Sequence, residues 1–241
     1  MRSLRSAKAR EESKCFLAEG ITLCKEAVRD RSVTMLLVDQ EKKHLFAQII
    51  AQAKETLIVP AHIVAYVCET KTPQGIAAVV SWIPPLEIEY MQNQSLLVLD
   101  GVQDPGNVGT MLRTAEAMAF GGCILSETCA DVYAPKTVRA SMGSVLRLPT
   151  LRTALPQMLC RLQEGGYCII GAAHGGKPLQ SGSLVYTPPF ALVIGSEGKG
   201  LSKEVTACVD ECVSITMAGK VESLNAAVAA SILMFALHQQ D

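Results

Sequence analysis

The apolar residues of this chain fall into strand-length runs that end in polar or glycine-rich turns and then hand over to helical spacing. Leu96 to Leu99 is one such run. Asp104-Pro105-Gly106-Asn107 is turn chemistry that stops it, after which Val108, Leu112 and Ala115 recur at the spacing of a helix. Phe190 to Ile194 repeats the pattern. It reads as a buried strand, followed by Gly195, Gly198 and Gly200 and then by a helix starting near Leu201 with Ser202 as its cap. Leu224 to Leu237 is apolar apart from Asn225 and Ser231, too short to cross a bilayer, and predicts a buried helix. Its small residues Ala226, Ala227, Ala229 and Ala230 permit close packing. Val145 to Leu148 reads as a further short strand.

Upstream, Ser13 to Arg29 alternates charges with Phe16, Leu17, Ile21, Cys24 and Val28 on one face. Met35 to Val38 and Leu57 to Val59 predict short strands, and Gly75 to Trp82 another apolar run after the turn Thr72-Pro73-Gln74-Gly75. Pro84-Pro85 and the polar Met91-Gln92-Asn93-Gln94-Ser95 form a natural linker. The expectation is two α/β domains, residues 1–83 and 95–241, joined by residues 84–94. With 241 residues, 49% of them apolar, the chain has enough material for a large core and a smaller one.

The net charge of −1 is not the basic balance of a protein that neutralises many phosphates. Locally, however, residues 1 to 14 hold Arg2, Arg5, Lys8, Arg10 and Lys14 against only Glu11 and Glu12, which makes either a phosphate-contacting patch or a solvated helix face. Nine cysteines without a paired CxxC motif read as reduced thiols rather than disulfides or metal ligands, so no metal is expected. Without a signal-peptide pattern or a spanning segment, the expected location is cytoplasmic. Gly171-Ala172-Ala173-His174-Gly175-Gly176-Lys177 satisfies a nucleotide-loop pattern, but Pro178 stands where a magnesium-binding hydroxyl is needed. That stretch is read as a loop beside a ligand pocket, with His174 as a loop histidine.

Three segments carry candidate chemistry. Arg113 lies early on the helix after the first turn, where its guanidinium either meets an anionic or hydroxyl-bearing ligand or pairs with Glu116. Glu197, inside the second glycine loop, is either a positioning group or a solvated loop residue. Ser223, before the last helix, is either a site residue or an N-cap.

In order and content these segments resemble the SpoU family of RNA ribose 2'-O-methyltransferases within the SPOUT superfamily. The resemblance is carried by Asn107 to Ala115 (NxGxxxRTA), Gly195 to Gly200 (GxExxG), Ser223 to Asn225 (SLN) and the stretch Ala140 to Ser144. Two departures are Thr216, where the family usually has Pro, and Ala226-Ala227, where it has Val-Ser. The stretches Lys14 to Gly20 and Thr72 to Val80 are similar to the family's accessory domain, a small ribosomal-protein-like RNA-binding fold.

The resemblance implies a parallel α/β sheet whose C-terminal region forms a deep trefoil knot, with S-adenosylmethionine bound there by Gly195, Ile215, Met217, Gly219 and Leu224. It places Asn107, Arg113, Glu197, Ser223 and Asn225 in catalysis or substrate placement. The implied acceptor is a ribose 2'-hydroxyl in structured RNA, ribosomal RNA above all, with tRNA as the alternative. A catalytically inactive RNA-binding homologue is disfavoured because all five polar positions persist. It also implies a homodimer through the C-terminal domains. The local basic patch makes Arg2, Arg5, Lys8, Arg10 and Lys14 the expected RNA contacts, and the abrupt start in a charged helix suggests that some related proteins begin earlier.

Overall fold

The computed structural model describes residues 1–30, 32–90, 93–178, 189–221 and 223–238. In chain order its strands are β1 (Cys15–Glu19), β2 (Val33–Asp39), β3 (Thr56–Val59), β4 (Ile76–Ser81), β5 (Leu96–Asp100), β6 (Gly122–Leu125), β7 (Thr150–Arg152), β8 (Cys168–Pro178), β9 (Phe190–Gly195) and β10 (Glu211–Ser214). The α-helices are α1 (Ala7–Ser13), α2 (Ile21–Arg29), α3 (Ala47–Ile50), α4 (Ala61–Val67), α5 (Pro105–Ala117), α6 (Pro135–Ser141), α7 (Leu155–Glu164), α8 (Lys203–Thr206) and α9 (Ala226–His238). They form two compact units, one of residues 1–84 with 131–147, the other of residues 85–130 with 148–241. Among the described residues no helix is long and apolar enough to cross a membrane.

The first unit is built on a four-stranded sheet of order β1-β4-β2-β3, in which β4 runs antiparallel to both neighbours and β3 parallel to β2. Ser13 to Arg29 is not one amphipathic element. Gly20, at φ +93°, turns the chain from β1 into α2, and a Cβ there would come within 2.9 Å of Gln74 Oε1, the atom that accepts the Ile21 N–H at 2.7 Å. Phe16 and Leu17 are therefore buried as strand residues, and Cys24 and Val28 as helix residues.

The segment 131–147 is held to this unit by side chains. Tyr133 stacks on Trp82 at 4.5 Å and on Phe16 at 5.0 Å between ring centroids, and burial pushes its phenol up to about 12. The strand expected at Val145 to Leu148 is instead a single 3-10 turn, Ser144–Leu146. Met142 (φ +49°) and Gly143 (φ +99°) precede it in the left-handed region, and the turn is closed by the Leu146 N–H on the Gly143 carbonyl at 2.9 Å and the Arg147 N–H on the Ser144 carbonyl at 3.0 Å.

The second unit has six parallel strands in the order β10-β8-β9-β5-β6-β7. Its central strands are covered on both faces, so they read as unbroken apolar runs. Leu96, Val98, Ala191 and Val193 pack in a core with Leu155, Leu159 and Leu162 of α7. The alternate residues Leu97, Leu99, Leu192 and Ile194 point the other way and are equally buried, and on β9 α9 packs while also packing against α5. From β5 the chain moves outward to β6 and β7, whereas from β9 it moves to β10 at the opposite edge. The order thus reverses between β5 and β9, and a crevice opens at their C-terminal ends.

Arg10 is 3% exposed, and its Nε and Nη2 donate to Asp131 Oδ2 at 3.0 and 2.6 Å while Nη1 donates to the Leu4 and Arg5 carbonyls at 2.7 and 2.8 Å. Replacing it by Met strands two carbonyls and a carboxylate that is one-third exposed. Arg10→Met is expected to cost about 2–3 kcal/mol in urea unfolding. A loss below about 0.5 kcal/mol, the range of ordinary surface substitutions, would remove this pair from what holds the unit together.

Candidate active site

At the reversal point of the second unit, Asp100 of β5 stands opposite Gly195 of β9. Beyond Gly195 the chain forms a closed loop. The Ser196 N–H donates to the Gly200 carbonyl at 3.0 Å and the Gly200 N–H returns to the Ser196 carbonyl at 2.9 Å, which leaves Glu197, Gly198 and Lys199 at the tip. Only glycine fits at 195, because a Cβ there would lie 2.2 Å from the Gly200 carbonyl carbon, and Gly200 itself sits at φ +67°. Asp100, 9% exposed, ties down the far end of the loop by accepting the Ser202 N–H at 2.7 Å. Ser202 in turn caps α8 by accepting the Val205 N–H, as its place before a helix start predicts.

On one side of this loop lies a cavity of about 500 Å³. Ile194, Ile215, Met217 and Leu224 give it apolar walls, α9 closes it with Ala226, Ala229 and Leu233, and Glu197 and Ser223 bring polar groups to it. The remaining wall comes from β8. Its register against β10 jumps from Gly171 opposite Cys212 to Lys177 opposite Val213, so Ala172, Ala173 and His174 are carried out of the ladder and into the cavity lining. The size, the apolar walls and the few polar groups suit an organic ligand of nucleoside dimensions. Gly219 is not among the lining residues. Among the described residues no group of three or more His, Cys, Asp or Glu side chains could hold a metal ion.

Beside the cavity, three polar side chains from three elements form a directed chain. Asn225 caps α9, its Oδ1 accepting the Ala227 and Val228 N–H groups at 2.9 and 3.3 Å. The cap is therefore Asn225, one place before the helix, and Ser223 is not needed for it. With its oxygen committed, Asn225 must present Nδ2, which donates to Asn107 Oδ1 at 3.1 Å. Asn107 must then present its own Nδ2, which donates to Glu197 Oε1 at 2.6 Å. The free N–H groups of a helix end thus set both amide orientations and aim a donor at the loop carboxylate. Asn107 sits in the first turn of α5, whose cap, Asp104, accepts the Asn107 N–H at 2.9 Å. Further along α5, Arg113 is exposed and forms no ion pair with a described carboxylate.

The basic residues of the N-terminal segment are each placed in the first unit. The Arg2 guanidinium lies 3.8 Å over the Tyr66 ring, and Arg5 donates to the last carbonyls of α4, including Val67 at 3.2 Å. Lys8 pairs with Glu12 at 3.8 Å, and Lys14 pairs with Glu11 and lies 4.5 Å over Trp82. Arg10 is the buried partner of Asp131. Sequence reasoning did not single out Asp100 or Lys199. The first is hidden at the end of an apolar run and the second is one of many surface lysines, so neither carries a local signal.

Comparison with known proteins matches the chain in two stretches. The profile of the SpoU rRNA Methylase family matches residues 94–235, and that of the MRM3-like substrate binding domain matches residues 1–78. The chain is 32% identical, over 98% of its length and 93% of the relative's, to the 23S rRNA (guanosine(2553)-2'-O)-methyltransferase RlmP of Bacillus subtilis (strain 168). It is similar in structure to a putative RNA methyltransferase of the TrmH family from Porphyromonas gingivalis, with TM-score 0.86, 33% identity and coverage of 100% of this chain and 96% of that one. A second similar structure is the SpoU methyltransferase AviRb from Streptomyces viridochromogenes in complex with the cofactor AdoMet. There the TM-score is 0.88, with 27% identity over 99% of this chain and 95% of that one.

The directed amide chain predicts a split between two substitutions at one position. Asn225→Ala removes the cap and is expected to cost about 1 kcal/mol, whereas Asn225→Ser keeps an acceptor for the helix without setting a carboxylate against Asn107 Oδ1 and should stay within about 0.5 kcal/mol of the parent. Thermal unfolding of the two variants measures this. Equal losses in both would show that Asn225 is not held by the helix end.

Proposed function

Because the chain belongs to the SpoU rRNA methylase family, we propose that it transfers the methyl group of S-adenosylmethionine to a ribose 2'-hydroxyl of ribosomal RNA. The observation that carries this reading is the apolar-walled cavity at the β5–β9 reversal, bounded by a loop whose carboxylate is held by Asn107. The cofactor fits the residues present. Ile194, Ile215, Met217 and Leu224 exclude water from it, Gly195 keeps the loop backbone close, and the Glu197 carboxylate favours a cationic ligand. S-adenosylmethionine supplies an electrophilic methyl group on a positively charged sulfur.

The chain's task in such a transfer is alignment and charge stabilisation. The ribose oxygen gains the methyl, the carbon–sulfur bond breaks with its electron pair going to sulfur, and the hydroxyl proton passes to solvent. Arg113 keeps its own proton, so its part is to meet the oxygen as negative charge develops and to contact the neighbouring phosphate. Its exposed position on α5 leaves its donors available.

Further assignments belong to this reading. The C-terminal segment threads as a trefoil knot, supported by the return of the chain from edge strand β10 to place α9 on β9 and α5. Residues 1–83 bind RNA and residues 95–241 carry the transfer, with 84–94 as linker, supported by the substrate-binding profile over residues 1–78. Arg2, Lys8 and Lys14 contact phosphates, whereas Arg10, being buried, and Arg5, whose guanidinium donates to the end of α4, shape their support. The working unit is a homodimer through α9, which leaves Val228, Ile232 and Phe235 exposed at helical spacing, in a stripe of the kind that another protein surface covers. Nine free thiols agree with a reducing, cytoplasmic setting.

Two measurements test this. Arg113→Ala should lower the rate of methyl transfer from labelled S-adenosylmethionine to unmodified ribosomal RNA by on the order of a hundredfold and leave cofactor affinity in calorimetry unchanged. Retained turnover would return Arg113 to a surface role. Phe235→Asp should convert a dimer to a monomer in sedimentation at micromolar concentration, and a parent chain that sediments as a monomer with full activity would end the dimer assignment.

A further inference from the structure

Several thiols of this chain lie beside one another. Cys24 and Cys68 in the first unit, and Cys123 and Cys129 in the second, are all buried, and burial pushes the Cys24 and Cys123 thiols well up. Cys160, on α7, and Cys208, just after α8, differ from these in their access to solvent: Cys160 is exposed and Cys208 half-buried. We propose that Cys160 and Cys208 are an oxidant-responsive site, at which peroxide closes a reversible disulfide between α7 and the segment that leaves α8.

One face of α7 supplies the geometry. Pro156, Cys160 and Gln163 are spaced by four and three residues and so share one side of the helix. Cys208 is laid against that side. Its Sγ lies 4.0 Å from the Pro156 carbonyl, one turn before Cys160, and 3.4 Å from the Glu204 carbonyl, while its own carbonyl accepts from Gln163 Nε2 at 3.3 Å. Gln163 Nε2 also donates to Asp210 Oδ1 at 2.7 Å, and Asp210 Oδ2 accepts the Ile169 N–H at 2.8 Å, so the backbone around Cys208 is tied to α7 and to β8. Burial, and then the Cys160 thiol hydrogen-bonded to it, push the Cys208 thiol up. Sulfurs already in contact have little way to travel to a bond of about 2.05 Å.

Exposure assigns the two roles. The Cys160 sulfur takes one oxygen of hydrogen peroxide, the O–O bond breaks, and the other oxygen leaves with the electron pair and the thiol proton as water, which makes Cys160 a sulfenic acid. Cys208 then attacks the Cys160 sulfur and expels the hydroxyl, which leaves with the Cys208 proton as a second water. Two thiols are thereby oxidised by two electrons and one peroxide is reduced to two waters. The bond joins positions 48 residues apart, and the chain between them carries β9 and the Ser196–Gly200 loop. Thr206, two residues before Cys208, lines the 500 Å³ cavity, so the disulfide holds that wall to α7.

The test treats the full reduced chain with hydrogen peroxide, removes the excess with catalase, alkylates the remaining thiols under denaturing conditions and maps the digest without reductant. Two of the nine thiols should escape alkylation, in one cross-linked peptide pair that contains Cys160 and Cys208 and that dithiothreitol separates. Cys160→Ser should keep all its thiols, whereas Cys208→Ser should leave Cys160 as a sulfenic acid trapped by dimedone. In thermal unfolding the oxidised parent should melt about 5 °C or more above the reduced one, since the bond restrains the unfolded chain. A cross-link through any other cysteine or between two chains, Cys160 carried to sulfinic acid with Cys208 still free, or a lower Tm after oxidation would overturn the proposal.

Discussion

The pairing of β5 with β9, in the register that sets Asp100 opposite Gly195, is the constraint on which the site depends. It pairs positions that are 95 residues apart in sequence, on two strands whose following connections diverge to opposite edges of the sheet. Because both strands are buried on both faces, their pairing is fixed by apolar packing and not by any polar group at their ends. Every later contact inherits that position. The Asp100 carboxylate reaches Ser202, the Ser196–Gly200 loop closes against a glycine, and Glu197 is carried to the first turn of α5.

The polar part of the site is then set by helix ends. An asparagine amide looks nearly symmetrical, and its two ends are interchangeable unless a neighbour commits one of them. Here the unpaired N–H groups at the start of α9 commit Asn225, Asn225 commits Asn107, and Asn107 meets a group that can only accept. Packing of α5 against α9 brings the ends of the two helices into reach, and the Thr114–Ser231 hydroxyl contact at 3.0 Å lies on the same pair of helices. The cap that stabilises a helix, Asn225, thus also orients Asn107, the donor that meets the carboxylate.

In the first unit, cations divide between holding the fold and remaining available to a ligand. Arg10 is wholly committed to Asp131 and two carbonyls, and Arg5 satisfies the end of α4, a place where helix carbonyls lack internal partners. Arg2 and Lys14 lie over aromatic rings, which keeps their charge outward while anchoring the stems. A near-neutral chain can in this way still offer local positive surface. Burial also pushes the Cys24 thiol well up and the Cys68 thiol up to about 12.

By itself the sequence determined the elements with strong periodicity: the apolar runs of β5 and β9, the glycine loop after Gly195, the cap at Ser202 and the last helix, whereas Pro105 to Asn107, expected as a turn, open α5, and Val228, Ile232 and Phe235 of the helix expected to be buried are exposed. It also carried the motif residues Asn107, Glu197 and Asn225, which the fold brings into one hydrogen-bonded chain. Local signals misled where a single residue changed the backbone. Gly20 splits Ser13 to Arg29 into strand and helix, and Met142 with Gly143 turns an apolar run into a 3-10 turn. Only the tertiary structure decided that Asp100 is a buried acceptor, that Ala172 to His174 bulge into a cavity, that Arg10 is a fold-holding cation, and that residues 131–147 pack with the N-terminal unit. Periodicity reports which face of an element is apolar, because burial repeats with the backbone. A hydrogen bond between residues a hundred positions apart leaves no such repeat, and it exists only once the sheet has chosen its strand order.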